Sequence, residues 1–210
     1  TVTIGLKLAP TNLDIRNTAG SAIDQVLIGN VYEGLVARDE HNQVVPAIAK
    51  TWDVSDDGTT YTFHLNDGMT FSNGDKLDAD DVAWSINELV TKQYHDADSL
   101  VNFVSVKASD PNTVELKLSA PYANLLWVLT GRPGLVFDKD AKYDAKTQAI
   151  GSGPYTVESF DSASKMVLKA NPKYWGTAHK PATQNVVIRF LTDDNAAVNA
   201  LKSGDVDVLS

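Results

Sequence analysis

The chain has 210 residues, 43% of them hydrophobic, with 27 acidic against 18 basic residues and a net charge of −9. This is enough chain to bury a real core in one or two domains, and its acidity argues against a nucleic-acid backbone or an anionic membrane surface as partner. The absence of cysteine excludes disulfides, thiol catalysis and thiolate metal sites without settling the compartment, and no run approaches the roughly 18 apolar residues of a membrane span.

In chain order, residues 2–8 read as a strand entered without a basic segment or an apolar leader core, so any targeting segment is expected to have been removed. A polar loop, 10–20, precedes a helix that Ser21 and Asp24 can open as a capping box, with Ile23, Val26, Leu27, Val31 and Leu35 on one face. The section from Val44 to about Leu118 is strand-rich, with strands expected at 52–54, 61–65, 103–108 and 114–118. Its densest signal is 60–86. There Tyr61, Phe63 and Leu65 alternate with Thr62 and His64, and Asn66-Asp67-Gly68 and Ser72-Asn73-Gly74 supply residues that tolerate positive φ. Asp78 with Asp81 then forms an acidic helix start ahead of Val82, Ile86, Leu89 and Val90. Asp110-Pro111-Asn112 predicts a hairpin, and 125–129 a short apolar helix that Gly131 terminates.

Beyond a polar linker at 138–149 the composition changes, which places a domain boundary near Gly151. Strand 155–160 pairs with 166–170 across residues 161–164. Strand 186–191, helix 195–202, Gly204 and strand 206–209 read as a βαβ unit with parallel strands and a right-handed crossover. The chain stops at Ser210, one residue after an apolar strand, and is expected to be a piece of a longer protein.

Residues that carry chemistry are sparse. His41, His64, His95 and His179 share no spacing that would hold a metal, and the clusters Asp56, Asp57 and Asp78, Asp80, Asp81 lack the central Gly and terminal Glu of a calcium loop. A turn and a solvated helix start account for them, so neither metal nor cofactor is expected. The serines lack a nucleophile elbow, and no catalytic residue can be assigned. Gly151-Ser152-Gly153-Pro154-Tyr155 resembles a phosphate cradle, but Pro154, Tyr155 and Val157 lead into a strand, not the helix whose amides would face an anion. What remains is a tight backbone crossing, either a domain turn or a place of ligand contact. Trp52 and Trp84 read as core, and Trp175 as the plug of a sheet edge. Trp127 stays open as a ligand contact because its helix ends close to Arg132. Arg132, in Gly131-Arg132-Pro133-Gly134, is a guanidinium on a rigid segment, placed either to bind a carboxylate bidentately or to pair with one of the chain's many acids.

Several stretches in register resemble one family. They are NVYEGLV at 30–36, VVPAIAKTWDVSDDG at 44–58, the stretch 60–86, the Gly151 to Tyr155 crossing, NPKYWG at 171–176 and ALKSGDVDV at 200–208. Over essentially its whole length the chain resembles the N-terminal half of the solute-binding proteins of peptide, dipeptide and nickel ABC importers, extracellular solute-binding protein family 5. The resemblance implies a mixed α/β fold: a periplasmic-binding-protein-like lobe with an inserted β-rich α+β domain, and a second lobe absent from this chain. Residues 1–40 plus 151–210 would form the first lobe and 41–150 the additional domain. It also implies a ligand between the lobes, touched by the loop after the first strand, which makes Arg16, Asn17 and Thr18 candidates. Arg132-Pro133 matches an arginine that faces ligand carboxylates in nickel-chelate members; Trp127, Gly151 and Ser152 complete the candidate set. Three positions depart from the family pattern: Ile15 where proline is usual, Asn66 where a basic residue is common, and Ser152 for threonine. The aromatic and basic residues of nickel-chelate binders are not clearly matched near Gln93 to Asp96.

The function implied is an extracytoplasmic, non-enzymatic component that captures a peptide, or another small solute, and presents it to a membrane permease. Membrane contact would come only through that permease and a possible lipid anchor, and no nucleic acid is involved. The alternatives are a nickel-chelate or other small-solute binder of the same family, a sensory or adaptor protein, and, from another class, a secreted glycoside or peptide hydrolase with a carboxylate pair in the strand-rich middle.

Overall fold

The computed structural model describes residues 1–210, all but the side chain of His179. Strand β1 (Val2–Leu6) leads through an ordered loop into helix α1 (Ser21–Leu27). The expected capping box does not form there. Gly20 takes the N-cap at φ 109° with no side-chain cap, because Ser21 is already helical and the Asp24 carboxylate turns to Arg132. The helix is also shorter than its apolar spacing predicts, since Gly29, at φ 78°, breaks it. Val31 and Leu35 are buried all the same, from the extended segment that follows.

Two short strands unanticipated as a pair, β2 (Val36–Arg38) and β3 (Val44–Pro46), form an antiparallel ribbon. Then come β4 (Ala49–Val54), β5 (Thr60–Leu65), helix α2 (Ala79–Lys92), β6 (Phe103–Asp110) and β7 (Thr113–Leu118), the strands making an antiparallel sheet in the order β4-β5-β7-β6. In β5 the alternation holds, with Tyr61, Phe63 and Leu65 buried. Asp78 caps α2 as its spacing predicts: its carboxylate accepts from the Asp80 amide at 3.0 Å, and the Asp81 carboxylate accepts from the Asp78 amide at 3.0 Å. The helix lays Val82, Ile86 and Leu89 into a core shared with Phe63, Val114 and Leu116. Each such burial is worth roughly 1.5–3 kcal/mol.

After helix α3 (Leu125–Val128) and a 3₁₀ turn at Arg132–Gly134, an extended segment serves two cores by alternation, Val136 facing the first and Leu135 and Phe137 a second. The second core also holds Leu13, Ile15, Ile23, Tyr32 and side chains of a five-stranded sheet built from β1, β8 (Tyr155–Asp161), β9 (Lys165–Ala170), β10 (Asn185–Phe190) and β11 (Val208–Leu209).

The sheet order is β11-β1-β10-β9-β8, with β8 and β9 the predicted hairpin. The βαβ expectation needs correction: β10, helix α4 (Asp194–Ser203) and β11 follow in sequence, but the two strands do not pair. β1 lies between them, parallel to both. The local pattern gives the parallel sense of β10 and β11 but carries no signal for a strand from the far N-terminus entering the gap.

Candidate functional site

The loop between β1 and α1 is held from within and from outside. Asn12 Oδ1 accepts from the Asp14 amide at 2.8 Å and from the Thr18 hydroxyl at 2.7 Å, while the Asp14 carbonyl accepts from the amides of Asn17 and Thr18. Leu13 and Ile15 point into the core, whereas Asn17 is exposed and Arg16 and Thr18 are half-buried.

The outer grip comes from two residues far along the chain. Arg132 is buried; its Nε donates to Asp24 Oδ1 at 2.8 Å, its Nη1 to the carbonyls of Ile15 and Thr18 at 2.8 and 2.6 Å, and its Nη2 to that of Gly20 at 3.1 Å. His95, just after α2, donates its amide to the Arg16 carbonyl at 3.0 Å and sets its ring Nε2 3.1 Å from the Asn17 carbonyl. The carbonyls of residues 15–18 and of Gly20 are therefore all engaged. Beneath them Arg132, His95, Arg16 and Phe137 line a cavity of about 10 Å³, room for a single water. Burial pushes the Asp24 carboxyl up, outweighing the Arg132 guanidinium that pulls it down.

Arg16 is different. Its guanidinium lies 4.5 Å from the Phe137 ring centroid and 5.2 Å from that of Tyr94, and among the described residues it forms no ion pair.

Gly151 and Ser152 sit in the crossing. A Cβ on Gly151 would fall 2.0 Å from the Val31 carbonyl oxygen, and one on Gly153 2.4 Å from that of Asn30, so the two backbone segments meet where only glycine fits. Ser152 is fully buried and donates to Glu33 Oε2 at 2.8 Å. Glu33 also accepts from the Tyr174 hydroxyl at 2.5 Å and from Trp175 Nε1 at 2.9 Å. Burial first, and then the neighbouring Glu33, raise the Tyr174 phenol well above its usual value.

Trp127 is exposed on α3 with the Arg38 guanidinium 4.6 Å above its ring. Glu33, Arg38 and Thr130 line a second, open cleft of about 900 Å³ with Lys50, Asp67, Tyr174 and Trp175. The sequence-predicted residues thus fall in three places: Arg16, Asn17, Thr18 and Arg132 at the loop, Gly151 and Ser152 at the crossing, and Trp127 beside the larger cleft. His95, Asp24 and Glu33 were missed. A lone His and a mid-helix Asp carry no local signal, whereas Glu33 lies inside a stretch already singled out.

One neighbouring pair of carboxylates is Asp75 and Asp138, both bonded by Asn73 Nδ2, at 3.1 and 2.8 Å. Hydrogen bonding with Asp138 holds the Asp75 carboxyl above the ordinary range. The pair lines neither cavity. Among the described residues no three His, Asp or Glu side chains converge as a metal site, and no helix is long and apolar enough to cross a membrane.

Comparison with known proteins places these features in a context. The profile of the bacterial extracellular solute-binding proteins, family 5 Middle, matches residues 43–210. The nickel-binding periplasmic protein of Escherichia coli K12 is 31% identical over 85% of this chain and 35% of its own length. The di/tripeptide-binding protein 4 of Pseudomonas aeruginosa is 27% identical over 95% of this chain and 43% of its own. The solved structure of the PBP AgaA in complex with agropinic acid, from A. tumefacien R10, superposes with a TM-score of 0.88 at 26% identity, over 98% of this chain and 42% of that one. The chain thus spans well under half the length of these relatives.

Proposed function

Because the chain belongs to the bacterial extracellular solute-binding proteins of family 5, we propose that it is the first lobe and additional domain of an extracytoplasmic binding protein that captures a peptide for an ABC importer. The observation that carries this reading is the family match over residues 43–210. It is supported by a loop whose carbonyls are held by Arg132 and His95, with Asn17 exposed and Arg16 and Thr18 half-buried. Such a protein does no chemistry. Recognition and closure of a second lobe would signal occupancy to the permease.

Residues 1–40 plus 151–210 are the proposed first lobe, and 41–150 the additional domain. The ligand is proposed to lie against Arg16, Asn17 and Thr18, with Arg132 behind them. Gly151 and Ser152 are proposed to act at the crossing, and Trp127 at the rim of the larger cleft. A periplasmic or outer-face location, with or without a lipid anchor, belongs to the same reading. A nickel chelate is the second reading, favoured by the 31% identity to the nickel-binding periplasmic protein.

Isothermal titration of the full-length protein with a di- and tripeptide mixture, and separately with nickel plus histidine, tests both. Micromolar or tighter binding of peptides is expected. Binding of the nickel chelate alone would displace the peptide reading, and binding of neither would sink the importer role.

A further inference from the structure

Resting on the binding-protein reading, we propose that Arg16 is the specificity-determining residue of the site, reading a carboxylate on the solute, and that Arg132 is a positioning residue which never touches it. The chain holds two arginines at the loop, and their surroundings separate their roles. Arg132 has Nε, Nη1 and Nη2 all engaged, by Asp24 and by three carbonyls of the loop it underlies. Asp24 neutralises its charge. A ligand carboxylate would have to displace that ion pair and unfasten the loop to reach it.

Arg16 stands on the opposite footing. Phe137 and Tyr94 support its guanidinium at 4.5 and 5.2 Å from their ring centroids, contacts with ring faces that do not consume its N–H donors. In a chain with 27 acidic residues, none of the described ones pairs with it. A guanidinium held against two rings, with no acid paired to it among the described residues, is preorganised for a bidentate carboxylate. Its backbone is fixed as well, because the Arg16 carbonyl is held by the His95 amide at 3.0 Å and the carbonyls on either side by Arg132 and the His95 ring. The carboxylate could be the C-terminus of a short peptide or that of a small organic acid; the chemistry at Arg16 is the same.

The test measures affinity in the full-length protein for three probes: a di- and tripeptide mixture with free C-termini, the same peptides as C-terminal amides, and a mixture of short mono- and dicarboxylic acids. For wild type, amidation is expected to weaken binding by about 10- to 100-fold, the value of a charge-assisted bidentate contact. Arg16→Gln should bind the free peptides as weakly as the amides, with Arg16→Lys intermediate. Hydrogen exchange of residues 12–20 without ligand separates the second role: protection should fall in Arg132→Lys and stay unchanged in Arg16→Gln. If the acids alone bind and Arg16→Gln abolishes it, Arg16 keeps its role and the peptide reading falls. Equal binding of acid and amide by wild type would overturn the assignment, as would discrimination surviving in Arg16→Gln. So would an Arg132→Lys variant that keeps its loop protection but loses the discrimination, or binding of none of the three probes.

Discussion

Replacing Glu33 should separate the part its charge plays from the part its shape plays. Its Oε1 accepts from the Tyr174 hydroxyl, and its Oε2 from Ser152 Oγ and Trp175 Nε1, tying the segment after α1 to the crossing and to the turn after β9. Hydrogen bonds to a charged acceptor are worth about 1.5–3 kcal/mol each when part-buried, and a buried donor left without a partner costs a similar amount. Glu33→Ala removes the acceptor of all three donors, and partial exposure to water discounts the sum to roughly 3–5 kcal/mol. Glu33→Gln can orient its oxygen toward Ser152 and Trp175 while the Tyr174 hydroxyl turns to accept from the amide. It loses only charge assistance, about 1–2 kcal/mol. Urea unfolding followed by tryptophan fluorescence gives both numbers, and Trp175 reports the site directly. An alanine variant within about 1 kcal/mol of wild type, or a glutamine variant as damaged as the alanine one, would refute the reasoning.

Other consequences follow from the same geometry. Tyr174 is pushed up by burial and by Glu33, and Tyr32 by burial and by Tyr143. Their stabilising neutral form is fully present below the ordinary tyrosine value of 10.0 and is lost as pH rises through the folded values. Spectrophotometric titration should therefore leave both phenols un-ionised until the protein unfolds at high pH; early ionisation of all seven tyrosines would contradict this. Asp81 is raised by burial despite its bonds to the amides of Asp78 and Lys139. Its contribution is thus present below the ordinary carboxylate value and declines as pH rises through the folded one, so Asp81→Asn should compare more favourably with wild type at pH 7 than at pH 3 in urea midpoints. Gly151→Ala puts a methyl 2.0 Å from a backbone oxygen and must part the segments joined by the Gly153 amide and the Val31 carbonyl, at about 3–4 kcal/mol. A change below about 1 kcal/mol, measured by the same unfolding assay, would mean that the crossing is not rigid.

What the sequence made legible was local. The alternation of Tyr61, Phe63 and Leu65, the capping box of Asp78 and Asp81, the Pro111-Asn112 turn and the hairpin of β8 and β9 all depend on neighbours within a few residues, and each stands in the structure. The insertion of β1 between β10 and β11 depends on contacts nearly 200 residues apart, which no local period encodes. At the site the same limit applies. Arg132 was conspicuous as a cation on a rigid segment, but Asp24 and the loop carbonyls that engage it lie over 100 residues away. His95 was one of four histidines with no shared spacing until α2 brought it against residues 16 and 17. Gly151 and Gly153 read as permitting a close backbone approach, and the turn they approach, at Asn30 and Val31, became identifiable only in three dimensions.

The central claim, capture of a peptide at the loop that follows β1, is tested most directly by native mass spectrometry of the full-length protein purified without denaturation. The account predicts one short peptide retained per protein, released on unfolding and absent from the Arg16→Gln variant. Retention of a non-peptide solute, or of a peptide held equally well by Arg16→Gln, would contradict it.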